Sequence, residues 1–401
     1  MPDSIAKWDG IAVADIAKFN GISVLDVSQL NGIAWPSGAP PAEYVEIAAN
    51  AVVGSPTITA SGTLVDGAKG FDLVDSDYAV VQVDGECWIQ IDFGSSKSIY
   101  AIRFRGGADT SGSHVHVLET SPDAITWTPV VTWVRDATNW YYILSGWYIV
   151  DRDDVRYIRL NKTLGNWLRW IYTGVNLGRP SITMSTTLAA ATCKLLIDFD
   201  GVDDATTHTA TTGQTVTFIG GAHLDTAQKK WGSSSLLVPG SASGVTVPDS
   251  DDWYFGTGEF RIDGQFMFNT LKNCSLIAQW RDGVGNAWLL IYYTYNKTLQ
   301  FLGGGSNKSV PWCPVTGRMY HVTVGRAGNT LYFFADGFLL GSSDITGNDY
   351  ISVAVDLEIG SVNNHGGAEC FDGLIDEVVI LKGVPPPTTD FVPPSEAYSI
   401  E

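Results

Sequence analysis

The sequence predicts an all-β chain, with two antiparallel β-sandwiches in tandem behind a short repetitive N-terminal segment. Three observations carry this expectation. Apolar and polar residues alternate in short runs such as Ile89-Gln-Ile-Asp-Phe93 and Val155-Arg-Tyr-Ile-Arg-Leu160, which is the period of half-buried strands. The chain holds 43 glycines and 11% aromatic residues, a mixture suited to tight turns between strands that pack through flat rings. No long amphipathic helical pattern occurs in the 401 residues, a length that suits two or three domains of ~100–200 residues each.

Residues 1–35 repeat. The units start at Ile5, Ile16 and Val27, eleven apart, and each carries an Asp-Gly or Asn-Gly pair: Asp9-Gly10, Asn20-Gly21 and Asn31-Gly32. Such pairs favour type I′ turns, because both central positions tolerate positive φ. The residues before each turn fit either one helical turn or a strand. Three such units are too small to bury their own apolar faces, so the segment is expected to dock on another protein or to oligomerise. A small cap packed on the next domain is the plainer alternative.

Residues 36–42 (Pro-Ser-Gly-Ala-Pro-Pro-Ala) read as a stiff linker. A first sandwich is expected over 43–179. Residues 180–193, rich in Ser, Thr and Ala, read as a second linker. A second sandwich follows over 194–383, where Leu331–Ala335, Asp336-Gly337 and Phe338–Leu340 form a hairpin signal. Residues 384–401, with Pro385–Pro387 and Pro393-Pro394, read as an extended tail on a surface.

Charge and cysteine content narrow the function classes. The formal net charge is −19, which opposes the counterion displacement that nucleic-acid binding needs and disfavours an anionic membrane surface. No apolar stretch reaches the ~20 residues of a membrane span, so no membrane insertion is expected. The N-terminus lacks a basic region followed by an apolar one, which predicts no secretory signal. Cys87, Cys193, Cys274, Cys313 and Cys370 are widely spaced without any C-x-x-C pair and read as reduced, mostly buried thiols.

Three stretches of the first sandwich carry a resemblance. Trp88-Ile-Gln-Ile-Asp-Phe-Gly94, Ser121-Pro-Asp-Ala-Ile-Thr-Trp127 and Val155–Leu160 resemble, in order and spacing, the corresponding strands and turn of discoidin-type (coagulation-factor C-type) domains, with Ala124 where Gly is usual. The resemblance implies a jelly roll that binds glycans or lipids through loops at one end. Asp92, just before Gly94, is read as bonding local backbone. Arg156 and Arg159 are read as structural.

The second sandwich resembles laminin-G-like, concanavalin-type jelly rolls. The matching stretches are Leu195–Gly201, Trp231–Leu237, Val245–Phe260, Tyr332–Gly337 and Phe371–Val378. The resemblance implies two large antiparallel sheets whose first and last strands lie close together. Phe260-Arg-Ile-Asp-Gly-Gln-Phe266 departs from the family, where a more apolar run ending in Trp is common. The N-terminal repeat is similar to short arrays that open phage structural proteins. This implies a virion component, made in a host cytoplasm, with residues 1–35 contacting other virion proteins.

Reactive chemistry is mostly missing. Concanavalin-type glycosidases set acid and nucleophile on one strand as E-x-D-x-x-E, and no such run occurs here. Asp356-Leu-Glu358 and Asp84-Gly-Glu86 are the nearest alternations and read as strand ends. There is no H-E-x-x-H, G-x-S-x-G or Walker-type loop. His114-Val-His116 lacks an evident third metal ligand and reads as an exposed strand face. Asp198, Asp200 and Asp376 are expected near the meeting of the terminal strands. The family resemblance implies a structural calcium there, which oxygen ligands suit, and turn and backbone bonding by the same carboxylates is the alternative. No other cofactor is expected.

The densest binding signal is aromatic: Trp127, Trp133, Trp140, Tyr141, Tyr142, Trp147 and Tyr148. Sugar C–H faces stack on such rings. Alternation sends half of the set inward, and Trp140, Tyr142 and Trp147 are the expected ligand contacts. The sequence therefore points to a non-enzymatic phage fibre or decoration protein that displays carbohydrate-binding-type modules to host-surface glycan as a homo-oligomer. A purely architectural head or tail component, and an accessory glycan-binding module of a secreted system, are the alternatives.

Overall fold

The structure is a computed structural model. It describes residues 7–8, 11–12, 29–30, 33–34, 44–46, 57–61, 64–65, 79–81, 86–107, 114–135, 143–164, 168–176, 180–281, 285–351, 353–362 and 369–401. The chain divides into two compact units, Met1–Arg179 and Pro180–Glu401. Both are built from antiparallel strands, and the one helical element among the described residues is a single 3-10 turn, Asp251–Trp253.

In the N-terminal unit, Lys7–Trp8 pairs with Ile11–Ala12 and Gln29–Leu30 with Ile33–Ala34. Strands therefore flank two of the Asx-Gly pairs. The middle repeat lies outside the described residues. The main sheet runs Thr128–Arg135, His114–Ser121, Ile143–Leu164, Cys87–Gly107, Leu168–Asn176, Ala79–Val81, Leu64–Val65. Alternation does what the sequence requires of it: Ile89, Ile91 and Phe93 are buried with Leu118, Ile158 and Leu160, and Trp88, Gln90 and Asp92 face away, half-buried.

The C-terminal unit stacks two eight-stranded sheets. The first runs His223–Asp225, Ser235–Pro239, Asp372–Lys382, Phe260–Phe268, Met319–Ala327, Thr330–Ala335, Phe338–Asp344, with Cys193–Ile197 also paired to Asp372–Lys382. The early and late strands of the domain thus meet. The second runs Thr207–Thr209, Thr215–Ile219, Gly244–Val247, Leu357–Ile359, Cys274–Arg281, Gly285–Tyr293, Thr298–Gly303, Lys308–Pro311. Rings fill the space between them. Phe260 of the first sheet stacks on Phe255 at 4.2 Å and lies 5.6 Å from Phe301 of the second, which stacks on Trp288 at 5.9 Å. The hairpin forms at Asp336-Gly337, where both residues have positive φ (50° and 79°) and Ala335 pairs with Phe338.

Two segments differ from expectation. Residues 180–193 are not a linker, and residues 384–401 are more than a surface tail. Thr187–Leu188 pairs in parallel with Ser399–Ile400, and Met184, Leu188, Phe391 and Tyr398 are buried against Phe334, Val379 and Leu381. Together the two segments form a strap over the outer face of the first sheet. Their few large apolar residues are spaced among prolines and serines, so no period marks them, yet each enters the same small core.

Candidate functional site

Trp140 and Tyr142 lie outside the described residues. Trp147 stands opposite Arg103 in the strand Ile143–Leu164, and its side chain also lies outside the description. The neighbouring Tyr148 is buried and belongs to the core.

What the N-terminal unit does show is a braced polar face. The Arg159 guanidinium lies 3.9 Å from the Trp127 ring centre, and Trp127 meets Tyr157 edge-on at 6.4 Å. Arg156 lies over Tyr157 at 5.0 Å. Each arginine also holds a carboxylate: Arg156 donates to both oxygens of Asp92 (2.8 and 3.0 Å), and Arg159 to Glu119 (2.9 Å). Asp92 additionally accepts the Gly94 N–H at 2.7 Å. The Arg156 hydrogen bonds hold its carboxyl below the usual range. The turn Ser121–Trp127 is tied by Asp123, which accepts from the Ile125 and Thr126 N–H groups, while Ala124 takes φ +61°. These arginines are structural, as the sequence implies. His116, by contrast, is buried and not on an exposed face, because its row of the sheet turns inward with Cys87 and Lys162.

The C-terminal unit carries a concavity of about 570 Å³ at the edge of its second sheet. Two threonine-rich strands line it, Thr207–Thr209 and Thr215–Ile219, whose register pairs Thr207 with Thr217 and Thr209 with Thr215. All four threonines are exposed. The row continues inward from Thr217 to Thr246 and Glu358, and then to Ala278, Leu289 and Leu302. His208 closes the other side of the hairpin, stacked on buried Phe199 at 5.8 Å and 3.0 Å from Asp198. The groove therefore offers hydroxyl groups as paired donors and acceptors beside half-buried Phe218. Composition alone hides it, because scattered threonines read as strand surface until the hairpin register aligns them.

The three aspartates are neighbours that bond turn backbone. Asp198 accepts the Asp200 N–H and the Thr211 hydroxyl. Burial pushes its carboxyl up, but the bonds from His208, Asp200 and Thr211 outweigh it and hold it below the usual value. Asp200 accepts from the Ser233 N–H and hydroxyl and fills the space where Gly232 would carry a Cβ. Asp376 accepts the Lys230 and Trp231 N–H groups at 2.8 and 3.3 Å. Among the described residues no group of three or more His, Cys, Asp or Glu side chains is placed to hold a metal ion. Asp200 and Asp376 cap the same turn, 230–234, from two strands, and Asp198 is bonded to the Asp200 N–H and to Thr211. Glu358 is likewise committed to the Ser361 hydroxyl at 2.9 Å, and Asp356 to the Asp249 N–H.

With that geometry in place, residues 240–388 match the model of the concanavalin A-like lectin/glucanases superfamily. The matched stretch of the C-terminal unit is thus similar to concanavalin A-like domains. No curated protein matches the chain. Among solved structures, the receptor-binding domain of botulinum neurotoxin C/D mosaic serotype is 13% identical, with a TM-score of 0.37 over 48% of this chain and 48% of that one. The chain thus spans about half the length of that structure. Domain 4 of AbnA, an extracellular arabinanase from Geobacillus stearothermophilus solved with arabinotriose, is 17% identical, with a TM-score of 0.38 over 49% of this chain and 95% of that one. A CBM32 module from Clostridium perfringens is 17% identical, with a TM-score of 0.25 over 31% of this chain and 94% of that one.

Proposed function

We propose that this is a non-catalytic adhesion protein of a phage particle, in which the jelly-roll units contact host-surface glycan and the N-terminal repeats attach them to the virion. The observation that carries the glycan reading is the threonine-lined groove at the edge of the second sheet. Paired hydroxyl groups suit a ligand that both donates and accepts hydrogen bonds, and Phe218 gives it an apolar edge. Asp198, which contacts the lining residue His208, is engaged by it and by Thr211, which favours holding a sugar over cleaving one. The repeated Asx-Gly pairs, in a segment too short to be expected to bury a core of its own, support attachment to a larger assembly. Display in several copies raises weak contacts to useful avidity.

A glycan array with multivalent full-length protein tests this reading. Binding to a defined glycan class is expected, and Thr207→Val with Thr217→Val should weaken it by about tenfold, the loss of one or two hydrogen bonds. Trp140→Ala and Trp147→Ala test the aromatic stretch in parallel. No binding to any glycan would overturn the adhesion reading. Particles that still incorporate a chain lacking residues 1–35 would overturn the anchor.

A further inference from the structure

The outer face of the first sheet in the C-terminal unit is polar where the strap crosses it. Arg261, Asp263 and Gln265 leave that face of Phe260–Phe268, and His321 and Thr323 leave the next strand. Register sets Gln265 opposite His321 and Asp263 opposite Thr323. All five are buried. Asp263 is held by Arg261 at 2.7 Å and by the Thr323 hydroxyl at 2.6 Å. The strap supplies Tyr398, whose N–H donates to Glu377 at 3.0 Å and whose hydroxyl lies 3.3 Å from His321 Nε2.

The strap covers this face without satisfying it. Gln265 is fully buried, and neither its amide nitrogen nor its amide oxygen has a partner among the described residues. His321 Nδ1, beside it, has none either. Leaving such groups bare costs about 1–3 kcal/mol each, so a covering layer selected only as core would not leave three polar atoms open in one row. The charges around the row are paired or suppressed near neutral pH: Arg261 is bonded to Asp263, and burial pushes Glu377 up to about 8 and His321 down to about 4. A ligand for this row must therefore be neutral and must both donate and accept.

We propose that the row Gln265–His321 is a second, latent binding site for an uncharged polyhydroxylated ligand, closed in the free protein by the C-terminal strap around Tyr398. Strap and ligand compete for the same face. The C-terminal half of the strap has a defined way to leave: it is paired to residues 186–188 by Ser399 N–H on Thr186 O and Glu401 N–H on Leu188 O, both 2.9 Å, and is tied to the sheet by Phe391 N–H on Gly337 O, Leu339 N–H on Asp390, and the few side chains around Phe391 and Tyr398. This site is separate from the threonine groove and stands or falls without it.

Two measurements on the full chain test the competition. In titration calorimetry with neutral oligosaccharides and glycerol as probes, Tyr398→Ala should bind about tenfold more tightly than the parent, because a closed state lowers apparent affinity by the open fraction. Adding Gln265→Leu should abolish that gain, whereas adding Thr217→Val should leave it intact. In hydrogen exchange on the unaltered chain, the same probes should speed exchange of the Ser399 and Glu401 amides. A folded Tyr398→Ala chain with no gained affinity overturns the proposal, as does a gain that survives Gln265→Leu. If Tyr398→Ala does not fold, exchange on the unaltered chain decides: strap amides that the probes leave unchanged overturn it.

Discussion

Phe260, Ile262 and Phe266 leave one face of their strand, Arg261, Asp263 and Gln265 leave the other, and both sets are buried. The inner face is dry because a second sheet covers it with rings. The outer face is dry because a strap of two terminal segments lies on it. The inner layer is held by ring packing whose strength scales with contact area. The outer layer is held by a few directional contacts, in which a missing partner costs more than a made one contributes. One strand thus separates a layer that tolerates loss of shape poorly from one that tolerates loss of charge balance poorly.

The largest expected effects probe each layer at its centre. Phe260→Ala should lower stability by about 3–5 kcal/mol through the cavity it opens between Phe255 and Phe301. Asp263→Ala should cost a similar ~3–5 kcal/mol for a different reason, since it leaves Arg261 buried and uncompensated. The double change Arg261→Met with Asp263→Leu separates the two cases and should recover most of the second loss. Urea unfolding of the three variants checks this. If the double variant is as unstable as Asp263→Ala, the outer layer behaves as ordinary core.

Dependence on pH sharpens the contrast further. Burial raises Glu377 to about 8 and Asp376 to about 7. The folded chain therefore holds these protons where the unfolded chain has released them. Their contribution is fully present below the unfolded values of 4.5 and 3.8 and is lost as pH rises through about 8 and 7. Each proton so retained lowers stability by up to about 1.4 kcal/mol per pH unit inside that window. Half-buried Asp92 and exposed Asp123 have lowered values, so their contribution has the opposite sign and is lost as pH falls through the folded value. Urea midpoints for the C-terminal unit should therefore fall between pH 5 and 8, and Glu377→Gln should flatten the upper part of that slope. An unchanged slope would place the proton elsewhere.

How far the sequence could be read follows from these same residues. Alternation in Phe260–Phe266 states which side chains share a face, and the strand obeys it. It does not state whether that face meets water. The run looks like a half-exposed strand that departs from the domains it resembles, and only the strap, assembled from residues some two hundred positions apart, makes its polar half an interior. Asx-Gly and Asp-Gly pairs were legible because a turn is local. The strap was not, because Met184 and Tyr398 carry no local period. The threonine groove was hidden for a related reason, since Thr207 meets Thr217 only through register. The three aspartates were legible as turn formers, whereas the meeting of Asp200 and Asp376 on one turn, 230–234, depended on where that turn came to rest.

The smallest effect concerns an ion pair that the N-terminal unit leaves nearer to solvent. Arg159 and Glu119 retain side-chain exposures of 18% and 11%, against 10% and 0% for Arg261 and Asp263. Water therefore screens the first pair more, and its guanidinium is held as much by the Trp127 ring, 3.9 Å away, as by the carboxylate. Lysine at this position keeps the charge but loses the flat stack and the forked hydrogen bond. Arg159→Lys should lower the stability of the N-terminal unit by about 1 kcal/mol and red-shift Trp127 fluorescence as the ring loses its cover, while Glu119→Gln should cost less. The test is a double-mutant cycle between position 159 and Trp127→Leu. A coupling near zero would mean that Arg159 is held by Glu119 alone, and the two ion pairs would then differ only in how much water reaches them.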